Sequence, residues 1–437
     1  MQRKILAILI VCCLVLCGCT REESQGIADA MINDRGELVL VYENGRQQNL
    51  GVVVGQDGKD GKDGEDCSGG EVILQDAGSD VSLASAKGLR SAVSILCNFQ
   101  TTVQQSGWRP GGSNTTTKEY SAAGSGVIYK LDKETGDAFI ITNYHVVYDA
   151  ASNTENGISS DIRTYLYGSE MEQLAIPASY IGGSLYYDIA VLRVEDSQIL
   201  RQSDVCQVDV ADSDAVAVGN TAIAIGNAQS YGISASFGVV SVDSEYITMT
   251  AADDRTEVSF RVIRVDTAVN SGNSGGGLYD DRGNLMGIVN AKIVDEGVEN
   301  IGYAIPSNVA VAIAENVIDY CFDTPLERVQ RALLGITVST TDSRAVYEAD
   351  TALVHIEETV TVYDVTAGSL ADGLLQPGDV LLQATLNGQT SRITRQYHII
   401  DMMLDVRVGD VVTMTVDRDG VEMTVEITIT EECLTAY

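Results

Sequence analysis

The stretch that decides the reading is residues 265–278, "VDTAVNSGNSGGGL". Its first five residues close the apolar-flanked run "VIRVDTAV" (262–269), and its last nine hold two serines and four glycines. Gly and Ser are ordinary turn formers, so one reading is a polar turn after a strand. The other is a nucleophile turn, in which glycines let backbone N–H groups crowd around one serine hydroxyl. That reading demands a general base and an orienting acid elsewhere in the chain, because a hydroxyl is a weak nucleophile near neutral pH.

The histidines narrow the search. There are three, His145, His355 and His398. Two fall in a C-terminal region that reads as a separate unit, which leaves His145 in "FIITNYHVVYDA" as the candidate base. A lone histidine after a strand is more often structural. Here it ends an apolar strand, where a rigid element can present an imidazole to a cleft. The third member is a carboxylate that fixes the imidazole tautomer. Asp188, in "YYDIAVLRV", is the choice, since an acid at the mouth of an apolar strand carries a desolvation cost unless it has a partner. Asp149 is nearer to His145 along the chain, but that is not the proximity a triad needs.

Composition excludes some classes. The 437 residues carry 28 basic and 62 acidic side chains, a formal net charge of −34. Such a surface repels phosphate backbones, so nucleic acid is not an expected partner. The N-terminus places Arg3 and Lys4 before "ILAILIVCCLVLCGCT", a signal-peptide pattern too short for a stable transmembrane helix. Its end, Leu16-Cys17-Gly18-Cys19, resembles a bacterial lipobox, which implies export, cleavage and a lipid on Cys19; an ordinary secretory signal is the alternative. Of nine cysteines, Cys67, Cys97, Cys206, Cys321 and Cys433 lie beyond this segment. Their wide spacing is neither a disulfide framework nor a zinc pattern, and no cofactor or metal is expected.

The rest divides into four parts. Residues 20–54 hold two β-rich runs around Asn44-Gly45, a hairpin signal. Residues 55–85 begin with glycine at 55, 58, 61 and 64, too few proline-free triplets for a triple helix, and read as a polar linker. Residues 86–320 are short apolar runs separated by Gly, Asn, Asp and Ser clusters, the pattern of an antiparallel barrel or sandwich. Residues 328–432 read strand, strand, short helix, strand, helix, strand, strand, with a hairpin at Asp419-Gly420.

Across residues 86–320, "GSGVI" (124–128), "TNYHVV", "DIAVLRV", "AIGN", "SFGVVS", "VDTAVNSGNSGGGL", "MGIVNA" and "NIGYAIPSN" occur in an order that resembles the HtrA/Deg branch of trypsin-like serine proteases. The resemblance implies a mainly β fold, a chymotrypsin-like pair of perpendicular six-stranded β-barrels. It implies His145, Asp188 and Ser274 as the triad, and an oxyanion hole at Gly272 and Ser274 with Asn273 between them. The family reads proline where Ser271 and Gly277 stand, which loosens the expected turn. A Lys or Arg preference needs an acid six residues before the nucleophile; Ala268 is there. With Val269, and with Ile301 by resemblance, it forms a small apolar pocket.

The C-terminal unit resembles an α/β PDZ domain through Leu333-Leu334-Gly335-Ile336, "VTAGSLADGLLQPGDVLLQ" and "VRVGDVVTMTVDRDG". Leu334, Gly335 and Ile336 would bind a terminal carboxylate with backbone N–H groups while the peptide pairs with a sheet edge. His398 reads as solvated. The whole resembles an exported, membrane-anchored endopeptidase of the bacterial envelope, acting on unfolded proteins with apolar C-termini, with trimers the family habit. Alternatives are a protease-like scaffold that binds peptides and a processing protease with one substrate.

Overall fold

The computed structural model describes residues 27–32, 37–42, 45–52, 81–106, 113–169, 171–293, 300–322, 324 and 326–436. The lipobox with Cys19, the Gly-x-Asp spacer and Cys67 lie outside the described residues. A first compact unit ends at Gln75. In it β1 (Ile27–Ile32), β2 (Glu37–Tyr42) and β3 (Gln47–Val52) form an antiparallel sheet in that order. The expected hairpin is β2–β3, with Gly45 at φ +80°; β1 is an added strand.

The second unit opens with a helix, Val81–Leu89, ahead of the expected boundary at 86. Its Gly88 lies so close to the second barrel that a Cβ there would be 2.6 Å from Ile225 Cδ1. Strands β4 (Ala92–Ser106), β5 (Ser113–Asp132), β6 (Asp137–Thr142), β7 (Asp161–Leu166), β8 (Ile176–Ser184) and β9 (Ile189–Val194) close into a barrel in the order β4-β5-β6-β9-β8-β7. Then β10 (Thr221–Gly226), β11 (Ser234–Thr250), β12 (Glu257–Val265), β13 (Gly277–Tyr279), β14 (Leu285–Val289) and β15 (Gly302–Pro306) close a second, in the order β10-β11-β12-β15-β14-β13. Closure removes sheet edges that would otherwise invite pairing.

Side chains along a strand alternate between faces, and that explains why β9 and β10 read as unbroken apolar runs. Ala190 and Leu192 fill the first barrel, while Ile189 and Val191 face a core shared by both barrels. In β10, Ala222 and Ala224 fill the second barrel, and Ile223 and Ile225 join the shared core. The helix Ser307–Tyr320 adds Val309, Ala310, Ile313 and Val317 to it. Both faces are therefore dry.

The C-terminal sheet runs β17 (Ile336–Glu348), β18 (Leu353–Val365), β19 (Val380–Leu386), β21 (Val411–Arg418), β22 (Val421–Thr428), with β20 (Gln389–Arg392) on β19. Short β16 (Gln330–Ala332) pairs with β23 (Leu434–Ala436). The expected short helix between β18 and β19 is absent. Residues 366–379 run as turns, with Gly368, Gly373 and Gly378 at φ +77°, +77° and +100°, values no right-handed helix accommodates. The helix Gln396–Asp405 is present. His398 on it is half-buried rather than solvated: its Nδ1 accepts the Thr394 N–H at 3.2 Å, and burial lowers its pKa. Cys97, Cys206, Cys321 and Cys433 are free thiols. Burial pushes Cys97 up to about 12 and Cys321 to about 11, which keeps both in the unreactive thiol form.

Candidate active site

The β6–β9 ladder pairs Thr142 with Ala190. The residues just past it on one strand, Asn143 to His145, therefore lie beside Asp188, which precedes the other. His145 sits on a one-turn helix, Tyr144–Val147. Asp188 is 3% exposed and left-handed, at φ +54°, a conformation Asp tolerates better than most residues. Its carbonyl accepts the Tyr144 N–H at 3.1 Å and the Asn143 side-chain amide at 2.9 Å. Its carboxylate accepts the His145 main-chain N–H at 2.9 Å and faces His145 Nδ1 at 2.6 Å. Asp149 instead accepts the Tyr120 hydroxyl at 2.7 Å.

Ser274 lies on the turn between β12 and β13. Two of its glycines have no substitute. Gly275, at φ +83°, would carry a Cβ 2.2 Å from the Ser125 carbonyl oxygen and from Thr142 Oγ1; Gly272, at φ +94°, one 2.2 Å from the Asn227 carbonyl oxygen. The turn is tied rather than loose. The Ser271 carbonyl accepts the Gln229 N–H at 2.7 Å, the Gly272 carbonyl accepts the Ser125 hydroxyl at 2.7 Å, and the Ser274 carbonyl accepts the Ser125 N–H at 2.8 Å. Gly277, the other position lacking proline, is held in the ladder between β10 and β14. From Gly272 to Gly276, the N–H groups of Asn273, Gly275 and Gly276 each find a carbonyl. Those of Gly272 and Ser274 have no acceptor among the described residues.

The two halves meet through shared neighbours. A Cβ on Gly124 would touch both Val146, 2.6 Å away, and the Ser274 carbonyl, 3.2 Å away. Asn290 donates its amide to Asp188 Oδ2 at 2.7 Å, and the next residue, Ala291, donates its N–H to Ser274 Oγ at 3.2 Å. Ser274 makes no hydrogen bond to His145 in this geometry. Such contacts often tighten only when substrate is bound. Sequence reasoning passed over Asn143, Asn290, Ser125 and Gln229. For the two asparagines the available signal is an amide side chain inside an otherwise apolar strand end.

Of the pocket residues, Ala268 is exposed and Ile301 half-buried. Val269 packs where a Cβ on Gly302 would be 2.6 Å from its Cγ2, so Val269 and the start of β15 are neighbours. In the C-terminal unit, the Leu334 and Gly335 carbonyls accept the Ala371 and Thr366 N–H groups at 3.1 and 2.8 Å. Gly335 is at φ +79°, and a Cβ there would be 2.1 Å from Ser369 Cβ. The N–H groups of Leu334 and Gly335 find no acceptor among the described residues. Ile336 opens β17, one of the two edge strands of its sheet.

Paired six-stranded barrels with a serine turn between them are the architecture of a trypsin-like serine peptidase, and the family model described as "Trypsin-like peptidase domain" matches residues 124–288. The Serine protease Do-like HtrA of Lactococcus lactis subsp. lactis (strain IL1403) is 31% identical over 373 residues, 81% of this chain and 83% of that protein. The Serine protease Do-like HtrA of Bacillus subtilis (strain 168) is 29% identical over 352 residues, 79% of this chain and 71% of that protein. The solved HtrA-type protease AlgW with decapeptide covers 82% of this chain at 22% identity, with a TM-score of 0.49. The chain belongs to the Do-like HtrA serine proteases, and it is a serine-type endopeptidase.

Proposed function

We propose that Ser274, His145 and Asp188 carry the peptidase reaction. The observation behind this is the pairing of a clamped His145–Asp188 couple with a serine turn whose two unaccepted N–H groups belong to Gly272 and Ser274. Ser274 Oγ attacks the peptide carbonyl as His145 Nε2 takes its proton, and Asp188 supports the resulting imidazolium through Nδ1–H. The Gly272 and Ser274 N–H groups receive the oxyanion, with Asn273 spacing them. Collapse expels the amine, which takes the proton from His145. Water then releases the acyl group by the same steps. Ala268, Val269 and Ile301 line a pocket for Val, Ala, Ile or Leu before the cut.

The wider reading is an envelope protease, held on the membrane by a lipid on Cys19 and removing unfolded proteins. A C-terminal PDZ domain captures apolar C-termini at Leu334, Gly335 and Ile336, and the protein assembles as a homotrimer. A fluorophosphonate probe is expected to label the wild type and not Ser274→Ala, and casein is expected to be cut only by the wild type. Equal labelling of both proteins refutes the nucleophile assignment. Casein bound but uncut favours a peptide-binding scaffold. Cys19→Ala is expected to leave the detergent phase in a partition experiment; retention there refutes the anchor.

A further inference from the structure

Between β10 and β11 lies a short loop, residues 227–233, without a charged side chain. Its Tyr231 is 88% exposed, more than any other large apolar side chain among the described residues. The backbone beneath that ring is tightly held. Gln229 and Ser230 are both left-handed, at φ +53° and +61°, and two adjacent non-glycine residues of this kind persist only where their surroundings over-determine them. Here the Gln229 N–H bonds the Ser271 carbonyl at 2.7 Å, and the Ser230 and Tyr231 N–H groups bond the Asn227 and Ala228 carbonyls at 3.1 and 3.2 Å. The Gly232 N–H bonds Asn227 Oδ1 at 2.8 Å. Asn227 in turn donates its N–H at 2.8 Å to Ser125 Oγ, the hydroxyl that bonds the Gly272 carbonyl. The loop, Ser125 on β5 and the serine turn are thus braced together, and one aromatic ring stands out from them into solvent.

We propose that Tyr231 is a specificity-determining residue of the peptidase reaction, selecting an aromatic or apolar side chain at the second residue after the cut. This inference rests on the proposed triad and oxyanion-hole assignment. With the peptide carbonyl at Ser274 and its oxygen between the Gly272 and Ser274 N–H groups, the chain before the cut turns towards Ala268 and Val269. The chain after the cut leaves on the other side of Gly272. That side is bounded by β5 at Ala122 and Ala123, both half-buried, and by the loop 227–233. A Cβ on Gly272 would lie 2.9 Å from the Gln229 nitrogen. Tyr231 is two residues further on, at most about 7 Å of chain, which is the length of two extended substrate residues. The first leaving residue lies over Gly124 and Val146, between Ser274 and His145. Successive side chains of an extended chain point to opposite sides, so the second turns to the loop. With no charge on the loop, the ring itself makes the contact, by stacking worth up to about tenfold. The amine fragment departs before water attacks, so this contact acts on acylation and not on deacylation.

The probe is a set of peptides with the same residues before the cut and Phe, Ala or Asp as the second residue after it. The wild type is expected to cut the Phe peptide with a kcat/KM about tenfold above that of the Ala peptide, and the Asp peptide more slowly still. Tyr231→Ala is expected to bring the Phe and Ala peptides within about twofold of each other. Tyr231→Phe is expected to keep the preference, and Tyr231→Lys to turn it towards the Asp peptide, since a cation there meets the carboxylate. The ring stands in solvent, so none of these changes removes a packed side chain. Discrimination between Val and Lys before the cut is expected to stay as in the wild type in all three variants. A tyrosine that merely held the loop would alter all peptides alike and leave the ratios unmoved. A wild type without preference at this position, or a preference that Tyr231→Ala keeps, overturns this inference alone. A kept preference with a changed oligomeric mass makes Tyr231 a subunit contact and overturns it as well. Turnover that survives Ser274→Ala overturns the triad assignment and this inference with it.

Discussion

Arg261 on β12 of the second barrel lies 3.0 Å from Asp401 on the helix Gln396–Asp405 of the C-terminal unit. The guanidinium is 2% exposed, pairs with Asp214 at 2.8 Å and stacks on the Tyr397 ring 3.9 Å from its centroid. The contact with Asp401 is close without hydrogen-bond alignment, so it acts as a coulombic contact. One buried cation thus serves two acids, and burial pushes Asp401 up to about 7 despite Arg261. A raised carboxylate holds its proton more tightly in the folded state. Between the ordinary value of 3.8 and about 7, the folded chain binds more protons than the unfolded one, and stability falls as pH rises. Asp401→Asn is expected to remove that part of the slope. Melting curves of both proteins across the window check it, and parallel pH dependences would sink it.

Gly272 supplies one of the two unaccepted N–H groups from a left-handed conformation that fits beneath Asn227. Gly272→Ala puts a methyl 2.2 Å from the Asn227 carbonyl oxygen and 2.9 Å from the Gln229 nitrogen at φ +94°. Strain of this kind costs about 1–3 kcal/mol, and turning the peptide is the obvious relief. The donor is then lost, with an expected fall in kcat/KM on the order of 10²–10³. Steady-state kinetics on a peptide reporter measure it. A loss smaller than about tenfold would mean that this N–H is not the one that meets the oxyanion.

Parts of this arrangement were legible in the chain and parts were not, for physical reasons. The barrels show in runs such as "DIAVLRV" and "TAIAIGN" because strands buried on both faces must be apolar throughout. Strands β4 and β13 do not show: β4 ends in the polar "NFQTTVQQS", and β13 spans only Gly277–Tyr279, so ladder partners decide both. His145, Asp188 and Ser274 stand out because each is a reactive group at a strand end. Their supports do not. Ser125 reaches Gly272 across 147 residues, and Asn290 reaches Asp188 across 102; no local pattern encodes a contact at that range. The short helix expected before β19 failed because three glycines there adopt left-handed turns.

The proposed substrate pocket has an equally direct handle. Ala268 carries no charge, and its carbonyl is already taken by the Ser236 hydroxyl at 3.0 Å, so the side chain can change without removing that bond. Ala268→Asp would place an acid six residues ahead of Ser274. Cleavage after Lys or Arg is expected to appear, and cleavage after Val to fall at least tenfold, since an apolar side chain would then bury an unpaired carboxylate. Mass spectrometry of casein fragments reads both. An unchanged cut-site profile would place the primary pocket elsewhere.

The loop proposed to hold a peptide carboxylate and the serine turn lie at the two ends of one chain of contacts. The segment around the helix Gln396–Asp405 meets the peptidase region through paired charges: Arg395, just before it, lies 3.7 Å from Asp243 on β11, Asp401 3.0 Å from Arg261 on β12, and Arg407, just after it, 2.8 Å from Asp319 on the helix Ser307–Tyr320. Arg261 belongs to β12, the strand that runs directly into residues 265–278. If a peptide carboxylate is captured at Leu334, Gly335 and Ile336 and its chain adds to the edge of β17, any adjustment of this helix bears on the strand that feeds the serine turn. A ligand shifts an equilibrium only by its differential affinity for the two states, so the effect must appear as a change in turnover at saturating peptide. Short peptides ending in an apolar residue are expected to accelerate a small reporter by about fivefold or more, the lower end for coupled sites. Gly335→Val, whose side chain would collide with Ser369, is expected to abolish both binding and acceleration while basal turnover persists. Arg407→Ala is expected to keep binding and weaken the acceleration. Peptides that bind the wild type without changing reporter turnover would leave capture standing and remove the coupling; acceleration that survives Gly335→Val would remove the carboxylate loop from the account altogether.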